Sequence, residues 1–156
     1  MSYSQDRAVS KDTALARLGA LCYVLWGLVH YNAAYGLFQF AGTVPASMGR
    51  GRLQQDGFYL AGLATIGIVV GVWLNWRNDR VGFWLNAVAI SLGDIPFVLF
   101  VLLPGYMPFW PGVLGPALWI AGLSFTALER ALDSAVEPET ASRVAAAMRC
   151  ECTYQR

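Results

Sequence analysis

The chain has 156 residues, of which 56% are hydrophobic and only 13% charged. Soluble domains carry about 25% charged residues, so this composition excludes an ordinary water-soluble domain. The formal net charge of +1 gives no electrostatic reason to expect a nucleic-acid partner.

The first 17 residues are polar and carry charges of both signs, unlike a signal peptide, which opens on a basic stretch and ends at a small-residue cleavage site. They are expected to be a cytoplasmic N-terminal segment. The apolar run 18–40 follows and is expected to be a retained transmembrane helix. It holds the only histidine of the chain, His30, near its middle. Residues 41–56, with glycines, a proline and polar side chains, read as a long loop. Further apolar runs cover about 57–76, 81–103 and 112–128, each close to the roughly 20 residues that span a hydrocarbon core. Unbroken runs of this kind form helices, because lipid offers the backbone no hydrogen-bond partners. The expected fold is all-α: a four-helix transmembrane bundle over 18–128, with residues 129–156 as a cytoplasmic tail in which the stretch after Pro138 could form a short helix.

Lysine and arginine counts set the orientation. The N-terminal segment, the loop holding Arg77 and Arg80, and the tail together carry nine of them, and the opposite side carries only Arg50 and Arg52. The positive-inside rule therefore puts both termini in the cytoplasm. Trp73, Trp76 and Trp84 gather at that interface and Trp110 at the other, as an aromatic belt does. A bacterial inner membrane is the expected location.

His30 lies twelve residues beyond Leu18, and Asp94 thirteen beyond Val81. With both helices running outward, the two residues sit at roughly 18–20 Å from the inner edge, near the midplane. Ionisable groups at such depth are costly and mark functional sites by default. The pair is therefore read as a candidate catalytic, proton-exchanging pair, against the plainer reading of a polar contact that fixes helix packing. Gly19, Tyr23, Trp26, His30, Ala34 and Leu37 share one face of the first span, and Phe83, Ala87, Ser91, Asp94 and Val98 share one face of the third. The candidate ligand-contacting set is Tyr23, Trp26, His30, Ser91, Asp94 and Trp119. Asn32 lies about 200° around the helix from His30 and is expected to serve a different contact. Asn86 is expected to make an interhelical hydrogen bond.

Pro96, two residues after Asp94, removes a backbone hydrogen bond and is expected to open a local kink. Gly67 and Gly71 form a GxxxG, with Gly62 nearby, suited to close helix approach within the bundle or between copies. The prolines and glycines at the outer end of the fourth span suggest a mouth on that side. Cys150 and Cys152 are too close for an unstrained disulfide; they read as reduced thiols, with metal or redox use as the alternative. No metal set is expected, and the sequence names no cofactor.

Arg17-Leu-Gly at the start of the first span, the glycines 62, 67 and 71, and the basic turn Arg77-Asn-Asp-Arg80 resemble the DoxX/DoxD-like small four-helix membrane proteins over residues 15–128. That resemblance is one of architecture, and it implies a subunit associated with quinone-linked or redox systems. Gly27-x-x-His30 and Gly93-Asp94 are more faintly similar to the polar cavity of the four-helix sterol-isomerase type. That chemistry uses a carboxylate in the second span, where this chain has none. Two function classes remain. One is an accessory subunit or binder of a lipid-soluble molecule, whose partners are the bilayer, that molecule, and a membrane protein or a second copy. The other is a small intramembrane enzyme doing acid/base chemistry on an isoprenoid, sterol-like or quinone substrate.

Overall fold

A computed structural model describes the backbone of residues 3–154 and the side chains of residues 14–135. Within that range the chain is helical and contains no strand. Helix α1 runs Tyr3–Thr43, α2 Met48–Trp73, α3 Arg80–Phe97, the short α4 Phe109–Gly112, and α5 Leu114–Tyr154. A 3-10 turn, Asn75–Arg77, joins α2 to α3, and a π turn, Val98–Leu102, extends α3.

Local chemistry sets these boundaries. No proline occurs between Tyr3 and Thr43, and α1 stops just short of Pro45. Ser47 then starts α2 by accepting the Arg50 N–H through its side chain, 3.3 Å. At the other end of α2, Asn78 takes a left-handed conformation (φ 55°) that asparagine tolerates better than most residues. Asp79 caps α3 by accepting the Val81 and Gly82 N–H groups at 2.8 and 3.1 Å. Pro96 has no N–H to donate, and one turn later the ladder widens: the Leu103 N–H donates to the Val98 carbonyl at 2.9 Å.

One expectation about chain organisation needs correction. The long loop at 41–56 shrinks to Val44–Ser47, because residues 48–56 form the first turns of α2. Their polarity sets exposure rather than conformation, and Arg52 Nη1–H donates along the helix to Gln55 Oε1 at 2.8 Å. The helix expected after Pro138 is part of a longer element. Helix α5 continues without a break to Tyr154, through a stretch rich in alanine, the best helix former. The Cys150 and Cys152 side chains lie outside the described residues.

Among the described residues, three helical segments are long and apolar enough to cross a membrane: Ala14–Thr43, Met48–Arg77 and Arg80–Leu102. Helix α5 is not among them. The large apolar side chains of these segments point outward as often as inward: Leu25, Leu28, Val88, Leu92 and Phe100 are all at least half exposed. A water-soluble protein rarely shows such continuous apolar surface.

Helix α1 packs along α2 on one side and α5 on the other, and α3 packs against the same two helices. Helices α1 and α3 thus face each other across the diagonal, and only long side chains bridge them. Glycines make the close approaches. A Cβ at Gly67 or Gly71 of α2 would meet the Trp26 ring at 3.2 Å or the Tyr23 Cβ at 3.3 Å, and one at Gly122 of α5 would meet the Tyr23 ring at 2.9 Å. The GxxxG glycines therefore serve packing within the chain, whereas Gly62 has nothing within 4 Å of its Cβ position. Tyr23, Trp26 and Ile90 form the core, flanked by Leu63, Leu118 and Trp119.

The four described span-end arginines Arg17, Arg77, Arg80 and Arg130 gather at one end. Arg17 lies over the Trp76 ring, Arg130 over the Phe83 ring, and Arg130 Nη1–H donates to the Asn78 carbonyl at 3.4 Å. Arg50 and Arg52 occupy the far end, on the first turn of α2.

Candidate functional site

His30 and Asp94 meet across the bundle diagonal, with Nε2 and Oδ1 3.4 Å apart. Asp94 is fully buried and His30 is 9% exposed. Trp26 completes the arrangement from one turn below His30. Its indole Nε1–H donates to Asp94 Oδ2 at 2.8 Å. Its backbone carbonyl receives the His30 Nδ1 contact, also at 2.8 Å. Its ring stacks on the imidazole, with centroids 3.8 Å apart and planes inclined by 26°.

These contacts fix the proton arrangement. A carbonyl oxygen can only accept, so Nδ1 carries a proton and donates it to Trp26. Nε2 then faces Oδ1 with its remaining capacity. If Nε2 is protonated, it donates to the carboxylate. If it is not, the carboxyl group must donate to it. Two bare lone pairs facing each other in a dry core would be the costly alternative, and Oδ1 has no other hydrogen-bond partner. A proton between Nε2 and Oδ1 relieves that conflict, across a contact that at 3.4 Å is long for a hydrogen bond. An imidazolium beneath the face of Trp26 gains further from the ring quadrupole.

Gly115 of α5 closes the site from a third side. A Cβ there would stand 2.7 Å from His30 Cε1 and 3.6 Å from Asp94 Oδ1. Only a glycine lets α5 come this near the imidazole.

A cavity of about 550 Å³ adjoins the pair, within the range of small-molecule sites. His30 and Asn32 are its polar lining residues; Leu60, Phe97, Met107 and Leu114 represent the apolar remainder. Its roof, Met107 with Pro111 and Gly112, lies in the irregular chain between the π turn and α5. Non-helical backbone at such depth is tolerated where it lines a cavity.

The expected site residues divide into two groups. His30, Asp94 and Trp26 come together, and of the named set only His30 lines the cavity. Tyr23 is fully buried lower down, its hydroxyl 3.4 Å from Thr126 Oγ1. Ser91 turns back to the Ala87 carbonyl of its own helix. Trp119 packs against the core with its indole N–H unpartnered. The expected stripe of α3 is rotated: its buried face is Gly82, Asn86, Ile90 and Asp94, with Phe83, Ala87 and Ser91 on the flank. Asn86 Nδ2–H donates to the Gly67 carbonyl of α2 at 3.4 Å, an interhelical bond as anticipated. Asn32 is a correction, since it shares the cavity with His30 despite pointing elsewhere on the helix. Sequence reasoning named Gly93 only beside Asp94 and did not single out Phe97 or Met107 for the site; the proline and glycine pattern at 111–116 was the one signal near them. Among the described residues no group of three His, Cys, Asp or Glu side chains could hold a metal ion.

Comparison with family models, curated proteins and solved structures finds no match to this chain.

Proposed function

We propose that this chain is an integral membrane protein of four spans, with both termini cytoplasmic, that binds a lipid-soluble small molecule beside His30. The observation that carries this reading is a buried His30 that faces Asp94 on one side and lines a mostly apolar cavity on the other. A pair needed only for packing has no reason to adjoin unfilled space. Three apolar helices support insertion in the bilayer. The fourth span is the start of α5, which from Leu114 to Arg130 rises about 24 Å as a helix, with the short α4 before it reaching toward the hydrocarbon thickness. The arginines gathered at one end support the cytoplasmic assignment of that end. The DoxX/DoxD-like architecture belongs to this reading as a likeness of layout.

The experiment is native mass spectrometry of detergent-extracted protein, wild type beside His30→Ala and Asp94→Asn. A co-purifying small lipid that is lost in both variants is the expected result. Stable variants with an unchanged ligand complement would overturn the assignment.

A second reading, an intramembrane enzyme exchanging protons with its substrate, is favoured by one observation: the imidazole that shares the proton also lines the cavity. The two readings separate on Asp94→Asn. This variant keeps an acceptor for Trp26 but cannot exchange a proton, so binding should survive it in weakened form and turnover should not.

A further inference from the structure

The cavity does not stop at the buried face of α1. Its lining residues on this helix step progressively round the axis, at 100° per residue. From His30, Ala33 lies about 60° away, Val29 about 100°, and Asn32 and Leu28 about 160°. All five line the cavity. The path leads from the buried His30, 9% exposed, to exposed positions at Ala33, Asn32 and Leu28, the last 55% exposed, with Val29 half-buried among them. The opposite flank of α1 is shut: Gly27 packs against Ile68 of α2, and the Tyr31 hydroxyl bonds Thr65 Oγ1 at 2.6 Å. Toward the basic end, the α1–α5 seam is shut by Tyr23 on Gly122 and by Gly19 on Thr126. The opening is therefore local, between Leu28–Ala33 of α1 and Leu114–Pro116 of α5.

We infer that this opening is a sideways portal to the hydrocarbon phase, and that the ligand is a neutral lipid-soluble molecule whose terminal carbonyl or hydroxyl oxygen hydrogen-bonds His30 Nε2. The inference rests on the reading above and specifies it. The route passes Leu28, Ala33 and Leu114, so a charged group would have to leave water to take it. No Asp, Glu, Lys or Arg side chain lines the cavity, so an ion finds no counter-charge there. Nδ1 is committed to Trp26, and Asp94 does not line the cavity. The ligand therefore touches His30, and Asp94 and Trp26 are positioning residues. The Nε2–Oδ1 separation of 3.4 Å is long for a hydrogen bond, so a closer oxygen can compete for the proton. Asn32 is placed at the outer part of the portal, where a second polar group of the ligand would meet it.

The test uses the full chain in phosphatidylcholine vesicles with two photoreactive probes of equal length, a long-chain alcohol and the matching hydrocarbon. Labelled residues are mapped by mass spectrometry. The alcohol should label the cavity residues Gly93 and Phe97 about tenfold more than the hydrocarbon, the worth of one good hydrogen bond in a dry site. His30→Leu should erase that preference and His30→Gln, which keeps a donor, should retain part of it. Ala33→Trp changes an exposed position, so folding should be intact, and should cut labelling of Gly93 and Phe97 by a similar factor. Equal labelling by both probes would overturn the oxygen contact while leaving a binding cavity. Undiminished interior labelling in Ala33→Trp would overturn the portal. If neither probe labels the cavity above the outward α3 face at Trp84, Val88 and Leu92, the binding function itself fails.

Discussion

The basic end and the cavity end of this bundle are built from the same four helices and differ in one respect. Toward the basic end, the described aromatic rings of α1 each meet a glycine: Tyr23 lies against Gly71 and Gly122, and Trp26 lies over Gly67. Beyond His30 that pairing continues only toward α2, where the Phe38 ring lies against Gly57; toward α5 it stops. Helix α5 gives way to the irregular chain around α4, and the space left between α1, α3 and α5 is the cavity. In lipid there is no hydrophobic force between helices, so close packing and polar contacts must hold them together. The basic end supplies the packing. The polar layer of Trp26, His30 and Asp94 lies where the packing ends, and it holds α1 to α3 across a diagonal that backbone contact does not close.

The largest expected effect removes that layer. Asp94→Ala leaves the Trp26 indole N–H and His30 Nε2 without their acceptor in a dry interior, and should cost about 3–5 kcal/mol. Thermal unfolding in detergent reads this as a large fall in melting temperature. Asp94→Asn, which keeps an oxygen for Trp26, should lose distinctly less. Equal losses in the two variants would mean that the carboxylate's charge, not its acceptor geometry, holds the layer.

The contrast between the ends sharpens with a pair of truncations. Ile90 is fully buried at the packed end. Ile90→Ala should cost about 2–5 kcal/mol, because rigid neighbours leave the void open. Phe97 already borders empty space, so Phe97→Ala removes fewer contacts and should cost about 1–2 kcal/mol less than a core truncation of similar size. Comparable losses would show that the cavity end is as tightly packed as the other in solution.

The sequence made the polar layer legible and left the faces of α3 obscure, for one physical reason. An ionisable residue in lipid is so costly that its mere presence is informative, and a rise of 1.5 Å per residue places His30 and Asp94 at one depth without knowledge of rotation. Rotation is set by packing, and in a segment apolar all round the hydrophobic period cannot select a face. Phe83, Ala87 and Ser91 looked as suitable as Gly82, Asn86 and Ile90; only the depth of Asp94 was common to both. Asn32 was misread on similar grounds, because opposite faces of a helix can line one cavity when the cavity wraps around it. The helical state of 48–56 was hidden because glycines and polar residues there read as a loop, and within 129–154 only the stretch after Pro138 read as a helix, although polar residues propagate a helix well outside lipid.

A smaller effect is expected where glycine alone permits close approach. At Gly122 an added methyl would press on the Tyr23 ring at 2.9–3.2 Å, and at Gly115 on His30 Cε1 at 2.7 Å. Each alanine variant should cost about 1–3 kcal/mol if the ring cannot yield. The two should differ in a second readout. Gly122→Ala strains the packed end and should leave probe labelling of the cavity unchanged, whereas Gly115→Ala tilts the imidazole and should reduce it.

The smallest expected effect is the control that gives these losses meaning. Gly36 and Gly62 have nothing within 4 Å of their Cβ positions. Alanine there meets no neighbour and relieves the helix of a glycine, a change worth at most about 1 kcal/mol in favour of the fold. Melting temperatures equal to or slightly above wild type are therefore expected for Gly36→Ala and Gly62→Ala. A clear loss at Gly62, which faces away from the bundle, would instead reveal a close partner on that face of α2, as a second copy of the chain would provide. The glycine contrast between the two ends would then describe an assembly rather than a single chain.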